Sequence, residues 1–280
     1  MLLGGTIIGQ YRNMDEWETL LVRSRFRAIT APFDCNTDKR TIEAFLETAG
    51  RHDVTIAEIG VWRNVMDSDP EAARQAIEYA KRQLAIADEY NIRCCVNIAG
   101  TSGCYGWDAA DISNYKPETY EKSIRIIQEI IADVKPTRAY YCIEPMPWMV
   151  PDGPDEYLDL IRDVQRPMFA AHMDFVNMIN SPRRFLKSEA FISECFSKLA
   201  PYIRSTHIKD SRMDMMKLTT TLEECPPGEG MLDFGGILRI IHEQLPKDAP
   251  VLLEHMQTEE EYRRAYDFLS AKALEESIPI

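Results

Sequence analysis

Four short apolar runs in the second half of the chain each end in a side chain that could bind a metal ion. In chain order these side chains are Glu144, Asp174, His207 and Glu254. Three carboxylates and one imidazole form a ligand set suited to Mn²⁺, with Mg²⁺, Co²⁺ or Zn²⁺ as alternatives. One such residue usually caps a helix or belongs to the core, but four in succession are hard to explain in that way, because burying several charges without a cation is costly. The spacing therefore predicts a metal site.

A fold must bring these four run ends together. Eight short apolar runs alternate with segments of helical periodicity, and no linker interrupts the alternation. The strand candidates are Gly5–Gly9, Phe26–Ala31, Thr55–Gly60, Arg93–Ala99, Ala139–Glu144, Met168–Asp174, Ile203–Lys209 and Val251–Glu254. Such alternation requires parallel strands, and eight units favour a (β/α)₈ TIM barrel formed by residues 1–280 as a single domain. The four candidate ligands then share the C-terminal face, where such barrels place their active sites.

Helix signals and one long loop complete this prediction. Pro70 and Pro117 stand where the first residue of a helix is expected, and Gly50 suits the C-terminal cap of a helix that begins near Asp38. The glycines near the N-terminus lack the spacing of a dinucleotide-binding turn, which disfavours an open nucleotide-binding sheet. Residues 211–236 form a connection far longer than the usual 2–6 residues, and we expect it to carry substrate contacts or a lid.

Composition narrows the function classes. The net charge of −13 argues against a nucleic-acid partner, and no apolar stretch is long enough for a membrane helix. The apolar fraction of 45% is ample for a large core. An odd number of cysteines, seven, suits reduced core thiols, and the N-terminus lacks the features of a signal peptide. We therefore expect a cytoplasmic protein that acts on a small molecule.

Strand alternation and sequence position single out further residues near the site. Lys209 shares a face with His207, and His172 lies one layer below Asp174, where it is expected to support the site rather than bind metal. Asn177 is a candidate hydrogen-bond donor to a substrate hydroxyl. Three tryptophans and two polar strand residues could line the pocket or merely pack, namely Trp62, Trp107, Trp148, Glu58 and Asn97.

The chain resembles the sugar isomerase and epimerase superfamily of xylose isomerase-like barrels, which includes D-tagatose and D-psicose 3-epimerases, hydroxypyruvate isomerase and inosose dehydratase. The resemblance rests on Ile143-Glu144-Pro145, on Met173 to Asn177, on Thr206 to Asp210 with Arg212 beyond, on Pro227 to Phe234, and on Leu253-Glu254. It covers essentially the whole chain. Relatives often form dimers or tetramers, so the resemblance implies a homodimer or homotetramer.

The resemblance also implies roles. Glu144 and Glu254 would bind the metal and exchange a proton with the substrate through a cis-enediolate, and Arg212 would hold a substrate oxygen. The epimerases typically have histidine at the position of Asn177, and their arginine lies one residue further from the histidine. Endonuclease IV shares the fold but requires a trinuclear zinc cluster with additional histidines, where this chain offers Glu58 and Asn97.

These observations predict a divalent-metal-dependent isomerase or epimerase of a ketose or keto-sugar. The alternative is a metal-dependent lyase or dehydratase that acts on an inosose or a 3-keto-glycoside, with Lys209 or His255 as its general acid. The third hypothesis is a non-catalytic binding protein on a barrel scaffold, which the intact ligand set disfavours, and an endonuclease IV-like DNA-repair enzyme is disfavoured as well. The expected partner is a sugar or polyol, and no nucleic-acid or membrane partner is expected.

Overall fold

The computed structural model describes all 280 residues and contains a closed barrel of eight parallel strands. The barrel strands are β1 (Leu2–Gly5), β2 (Ala28–Thr30), β3 (Thr55–Gly60), β4 (Cys94–Asn97), β5 (Tyr140–Ile143), β6 (Phe169–Asp174), β7 (Ile203–Ile208) and β10 (Pro250–Leu253). Strands β8 (Asp210–Met213) and β9 (Leu222–Cys225) form a separate antiparallel hairpin. The closed barrel confirms the predicted (β/α)₈ fold.

Helices surround the barrel on the outside and connect its strands. They are α1 (Met14–Ser24), α2 (Lys39–Arg51), α3 (Pro70–Glu89), α4 (Pro117–Val134), α5 (Pro154–Val164), α6 (Pro182–Leu186), α7 (Ser188–Leu199), α8 (Phe234–Gln244) and α9 (Glu259–Glu275). Pro70 and Pro117 begin their helices as predicted, and the Asp38 side chain accepts a hydrogen bond from the Thr41 amide as an N-cap. None of the helices is long and apolar enough to cross a membrane.

Two local predictions were wrong. The first strand is Leu2–Gly5 rather than Gly5–Gly9, because its hydrogen-bonding partner β10 begins opposite Leu2, at Pro250. Helix α2 continues through Gly50 to Arg51, and the left-handed residue that reverses the chain is Asp53, with φ of 54°. Helix α6 was not predicted.

The main hydrophobic core lies between barrel and helices and comprises 62 buried residues. A separate small cluster packs Ala28 and Ala57 against Leu252. The close approach of β1 and β2 requires glycine at position 4, since a Cβ there would lie 1.6 Å from the Ala28 carbonyl oxygen. All seven cysteines are free thiols and five of them are buried, as predicted for core residues.

A bulge in β3 aims one carboxylate into the barrel. Ile29 pairs with Ile56, but the next residue, Thr30, pairs with Glu58, so that Ala57 is an extra residue in β3. Bulges of this kind redirect the side chains beside them. Ala57 packs against Leu252 while Glu58, its neighbour in sequence, bonds to His207. Both residues therefore face the barrel interior.

The predicted long connection after β7 contains the β8–β9 hairpin and a loop organised by one buried carboxylate. Asp210 accepts backbone hydrogen bonds from Ser211, Gly228, Gly230 and Leu232 at 2.8–3.2 Å. The Asp210 side chain thus fixes the Pro-Gly-rich segment that follows the hairpin. Four amide donors compensate for the burial of this carboxylate.

The first turn of α5 gives a pH prediction. Burial and the neighbouring Asp152 raise the pKa of Glu156 to about 7. Because this folded-state pKa exceeds the unfolded value, the folded protein retains a proton that the unfolded chain releases, and stability falls as pH rises from about 4.5 to 7. Solvent screening at this partly exposed site reduces the effect. We therefore expect Glu156→Gln to raise the free energy of unfolding by on the order of 1 kcal/mol at pH 8 and to leave it unchanged at pH 4.

Thermal unfolding at several pH values between 4 and 8 checks this expectation. Glu118→Gln is the matched control, because Glu118 also lies in the first turn of a helix but does not pair with a neighbouring acid as Glu156 pairs with Asp152. The control should retain the wild-type pH dependence. An equal response of the two variants would contradict the role assigned to Asp152.

Candidate metal centre

The four residues predicted as metal ligands converge at the C-terminal end of the barrel. Asp174 and His207 belong to β6 and β7, whereas Glu144 and Glu254 immediately follow β5 and β10. One donor atom from each lies within 4.8 Å of the others, and all four side chains are buried. The geometry is that of a candidate cation site with three carboxylates and one imidazole.

A buried network below this site fixes the orientation of His207. Glu58 receives hydrogen bonds from His207 Nε2 at 2.9 Å, from His172 Nε2 at 3.1 Å and from Ser205 Oγ at 2.6 Å. Burial opposes ionisation of Glu58, but the charges and hydrogen bonds of the two histidines lower its pKa well below the usual value. Glu58 and His172 thus support the site from below, as was expected for His172.

The same network leaves the other ring nitrogen of His207 facing the carboxylates. Nε2 donates to Glu58, and Nδ1 lies 2.7 Å from Glu254 Oε2 and 3.5 Å from Glu144 Oε2. Burial opposes protonation of His207, but the charges of Glu254, Glu58 and Glu144 raise its pKa well above the usual value, so a bound metal ion would displace a proton from Nδ1. Asp174 Oδ2 in turn lies 2.7 Å from Lys209 Nζ. Carboxylates that converge in a buried space are stabilised by a cation, and a histidine held by a carboxylate on its far side is typical of metal sites.

The charge of the site also fits a divalent ion. Lys209 Nζ lies 2.7 Å from Asp174, 2.5 Å from Glu254 and 3.1 Å from Glu224, and its side chain is 1% exposed. With the three ligand carboxylates ionised and Lys209 charged, as they would be around a bound cation, these four groups carry a net charge of −2. Burial, reinforced by Glu254 and Glu144 and opposed by Lys209, raises the pKa of Asp174 well above its usual value. One divalent cation would balance this charge.

A cavity of about 1080 Å³ opens above the candidate site. Trp62, Trp107, Trp148 and Asn177 line it. Asn177 also aligns two candidate ligands, because its side-chain amide donates to Glu144 Oε1 at 3.1 Å and its backbone amide donates to Asp174 Oδ1 at 3.0 Å. This asparagine therefore holds the carboxylates at the base of the cavity.

Three residues predicted to contact substrate do not line the cavity. Lys209 is held below it by its three carboxylate partners. Asn97 is fully buried and exchanges hydrogen bonds with the backbone of Arg63, so that it closes the loop after β3. Arg212 lies on β8 with a half-exposed side chain paired to Glu223 at 3.0 Å. The structure thus corrects the predicted role of these three residues.

Sequence reasoning missed Glu224 altogether. This residue of β9 lines the cavity, and its Oε1 lies 2.7 Å from Nδ1 of His255, which also lines the cavity. Burial opposes ionisation of Glu224, but the His255 hydrogen bond and the Lys209 charge lower its pKa overall. The one signal in the sequence was the unusual length of the connection that contains Glu224. That length predicts substrate contacts somewhere in the connection but does not identify the residue.

Fold and site together define a (β/α)₈ barrel with a candidate metal centre at the C-terminal ends of its strands. The chain belongs to the xylose isomerase-like TIM barrel family, which it matches over residues 21–272. No curated protein matches the sequence.

Solved structures of different activity share the fold to a similar degree. The probable 3-DHS dehydratase of petrobactin synthesis from Bacillus anthracis is 18% identical, with a TM-score of 0.71 and coverage of 98% of this chain and 99% of that one. D-Psicose 3-epimerase from Clostridium cellulolyticum is 13% identical, with a TM-score of 0.69 and coverage of 97% and 99%. Endonuclease IV from Thermus thermophilus is 12% identical, with a TM-score of 0.70 and coverage of 98% and 100%. At this identity the likeness defines the fold and leaves the reaction open.

Proposed function

We propose that this protein is a divalent-metal-dependent isomerase or epimerase of a ketose or keto-sugar, with Mn²⁺ as the leading candidate for its metal. One observation carries the proposal. Glu144 and Glu254 follow strands that are separated in the barrel by β6 and β7, yet their carboxylates meet Asp174 and His207 within 4.8 Å at the base of a substrate-sized cavity. Two carboxylates placed in this way can approach one substrate carbon from two sides.

The residues of the chain divide the work of proton exchange. A divalent ion bound by Glu144, Asp174, His207 and Glu254 would polarise a substrate carbonyl and so acidify the adjacent C–H. One of the two glutamates removes that proton to give an enediolate, and the other returns a proton to the opposite face. Asn177 orients Glu144 through its 3.1 Å hydrogen bond, and Lys209 orients Glu254 at 2.5 Å.

A lyase or dehydratase is the second candidate, and His255 is the observation that favours it. His255 follows the ligand Glu254 directly, lines the cavity and is bonded to Glu224. A histidine in this position could protonate a leaving group on the carbon next to the enediolate, which gives elimination instead of reprotonation. Lys209, the other candidate acid, is held by three carboxylates outside the cavity.

Incubation with Mn²⁺ in D₂O tests the two candidates against each other. The substrate panel contains ketoses, inososes and 3-keto-glycosides, and the products are analysed by NMR and mass spectrometry. Deuterium in recovered or epimeric sugar supports proton exchange, whereas loss of water or of an aglycone supports elimination. If neither occurs and metal analysis finds no bound divalent ion, the proposed function is wrong.

A further inference from the structure

The walls of the cavity carry no positively charged side chain other than two histidines, both of which already bind glutamates. None of its 28 lining residues is lysine or arginine. Its two histidines are each bonded to a glutamate, His207 to Glu58 and His255 to Glu224. Asp34 and Asp108 add further acidic groups to the lining. A phosphate or carboxylate on the substrate would therefore lose its hydration without gaining a partner, which is costly.

The upper wall is aromatic and held in place, beginning with Trp62. Trp62 has φ of 47°, a backbone conformation that costs about 1–3 kcal/mol for a residue other than glycine. Its indole lies so close to Gly60 that a Cβ there would stand 1.8 Å from Nε1. Glycine at position 60 thus makes room for the ring. Strain retained at a cavity wall points to a role in ligand binding.

Trp107 and Trp148 extend this wall from two other loops. The indole Nε1 of Trp148 donates to the Asp108 carbonyl at 2.7 Å, which ties the loop after β5 to the segment that carries Trp107. The buried Asn114 donates to the Trp148 carbonyl at 3.1 Å. Trp62, Trp107 and Trp148 are each about one third exposed, so every indole keeps an apolar surface open. We call these three residues the tryptophan wall.

The cavity is also large for a single sugar ring. Its volume of about 1080 Å³ exceeds the roughly 300–1,000 Å³ typical of small-molecule sites. A monosaccharide seated on the candidate metal ligands would leave much of this space, including the tryptophan wall, in contact with water. Ordered apolar surface left uncovered in this way indicates that the ligand has a second part.

We propose that the substrate is an uncharged glycoside, in which a keto-sugar at the metal centre carries a second sugar ring or an aryl group that packs against the tryptophan wall. This inference rests on the proposed function and extends it to a substrate class. It excludes sugar phosphates and sugar acids, because neither finds a counter-charge in the cavity.

Calorimetric binding of three related ketoses to the Mn²⁺-loaded protein tests this inference. The probes are fructose, its neutral galactoside lactulose, and fructose 6-phosphate. We expect lactulose to bind with a Kd about tenfold lower than that of fructose, as ring stacking on an aromatic wall allows, and fructose 6-phosphate to bind about tenfold more weakly than fructose. Any of three results would overturn the inference. Lactulose could bind no more tightly than fructose, fructose 6-phosphate could bind as tightly as fructose, or none of the probes could bind.

Variants locate the second subsite. Trp62→Ala, with Trp107→Ala as a second variant should the first fail to fold, is expected to raise the Kd for lactulose about tenfold while it changes the Kd for fructose less than about threefold. Tyr105→Ala is the control, since this aromatic residue is 81% exposed in the same segment as Trp107 but does not line the cavity. It should change neither Kd, and an equal loss in Tyr105→Ala would contradict the subsite.

The binding assay and the D₂O assay can fail separately. Exchange or elimination on the substrate panel without a preference for lactulose would leave the proposed function standing and remove the glycoside inference. Preferential binding of lactulose without any turnover of the substrate panel would contradict the proposed function and leave the glycoside inference standing.

Discussion

The His207→Ala protein is expected to lose its bound metal and its catalytic activity together. The substitution removes the one nitrogen ligand, and it also removes one of the three hydrogen-bond donors to the buried Glu58, at 2.9 Å. Substitutions in the surrounding shell of a metal site typically cost about 10–100-fold in affinity, and we expect the loss of a ligand to cost more. Metal content after dialysis against Mn²⁺, measured beside deuterium exchange on the substrate panel, checks both parts.

His52→Ala is the matched control for this experiment. His52 follows the C-terminus of α2 and contacts Glu18 at 2.6 Å, on an exposed part of the surface. The same change of residue type there should leave metal content and activity as in the wild type. Activity that survives in His207→Ala after its metal has gone would contradict the proposed mechanism.

The candidate site was largely predictable because strand geometry constrains it strongly. Side chains alternate along each strand, and all parallel strands in a barrel end at one face. An acidic or imidazole side chain at the end of an apolar run is therefore expected at the C-terminal face of the barrel. Asp174 and His207 lie within the last two residues of their strands, and Glu144 and Glu254 come one residue after theirs.

Beyond the strand ends this constraint disappears, and the predictions were weaker there. Arg212 was assigned to the cavity by resemblance, but it lies on β8, where antiparallel pairing sets it opposite Glu223. The next residue of the partner strand, Glu224, faces the cavity instead. Neither fact follows from local sequence, since the register of the β8–β9 hairpin determines which side chain points inward.

Lys209 shows a different limit of sequence reasoning. Strand parity correctly placed Lys209 and His207 on one face, and both contact Glu254. The alternation of side chains along a strand predicts the face on which a side chain lies. It does not predict how deeply that side chain is buried or whether a substrate can reach it. Only the structure shows that the lysine chain ends among three carboxylates and leaves no free ammonium for a substrate.

The position of Lys209 leads to the second large effect, a loss of stability in the Lys209→Met protein. Methionine has a similar length but no charge, so the buried carboxylates of Asp174 and Glu254 would lose the ammonium that lies 2.5–2.7 Å from them. Removal of one partner from a buried charge cluster costs about 3–5 kcal/mol. For a chain of this size we expect Tm to fall by on the order of 10 °C, as measured by circular dichroism on the Mn²⁺-loaded protein.

Lys81→Met provides a matched control, because Lys81 also has three carboxylate partners. Its Nζ lies 2.8 Å from Glu78, Glu129 and Asp133, but these acids are 48–57% exposed, whereas Asp174 and Glu254 are 0% and 9% exposed. Solvent screens the acids that remain after Lys81→Met, and exposed pairs contribute about 0–1 kcal/mol each. We therefore expect a much smaller fall in Tm for Lys81→Met. Equal losses in the two variants would mean that the number of ion pairs, and not the burial of the acids left behind, determines the effect.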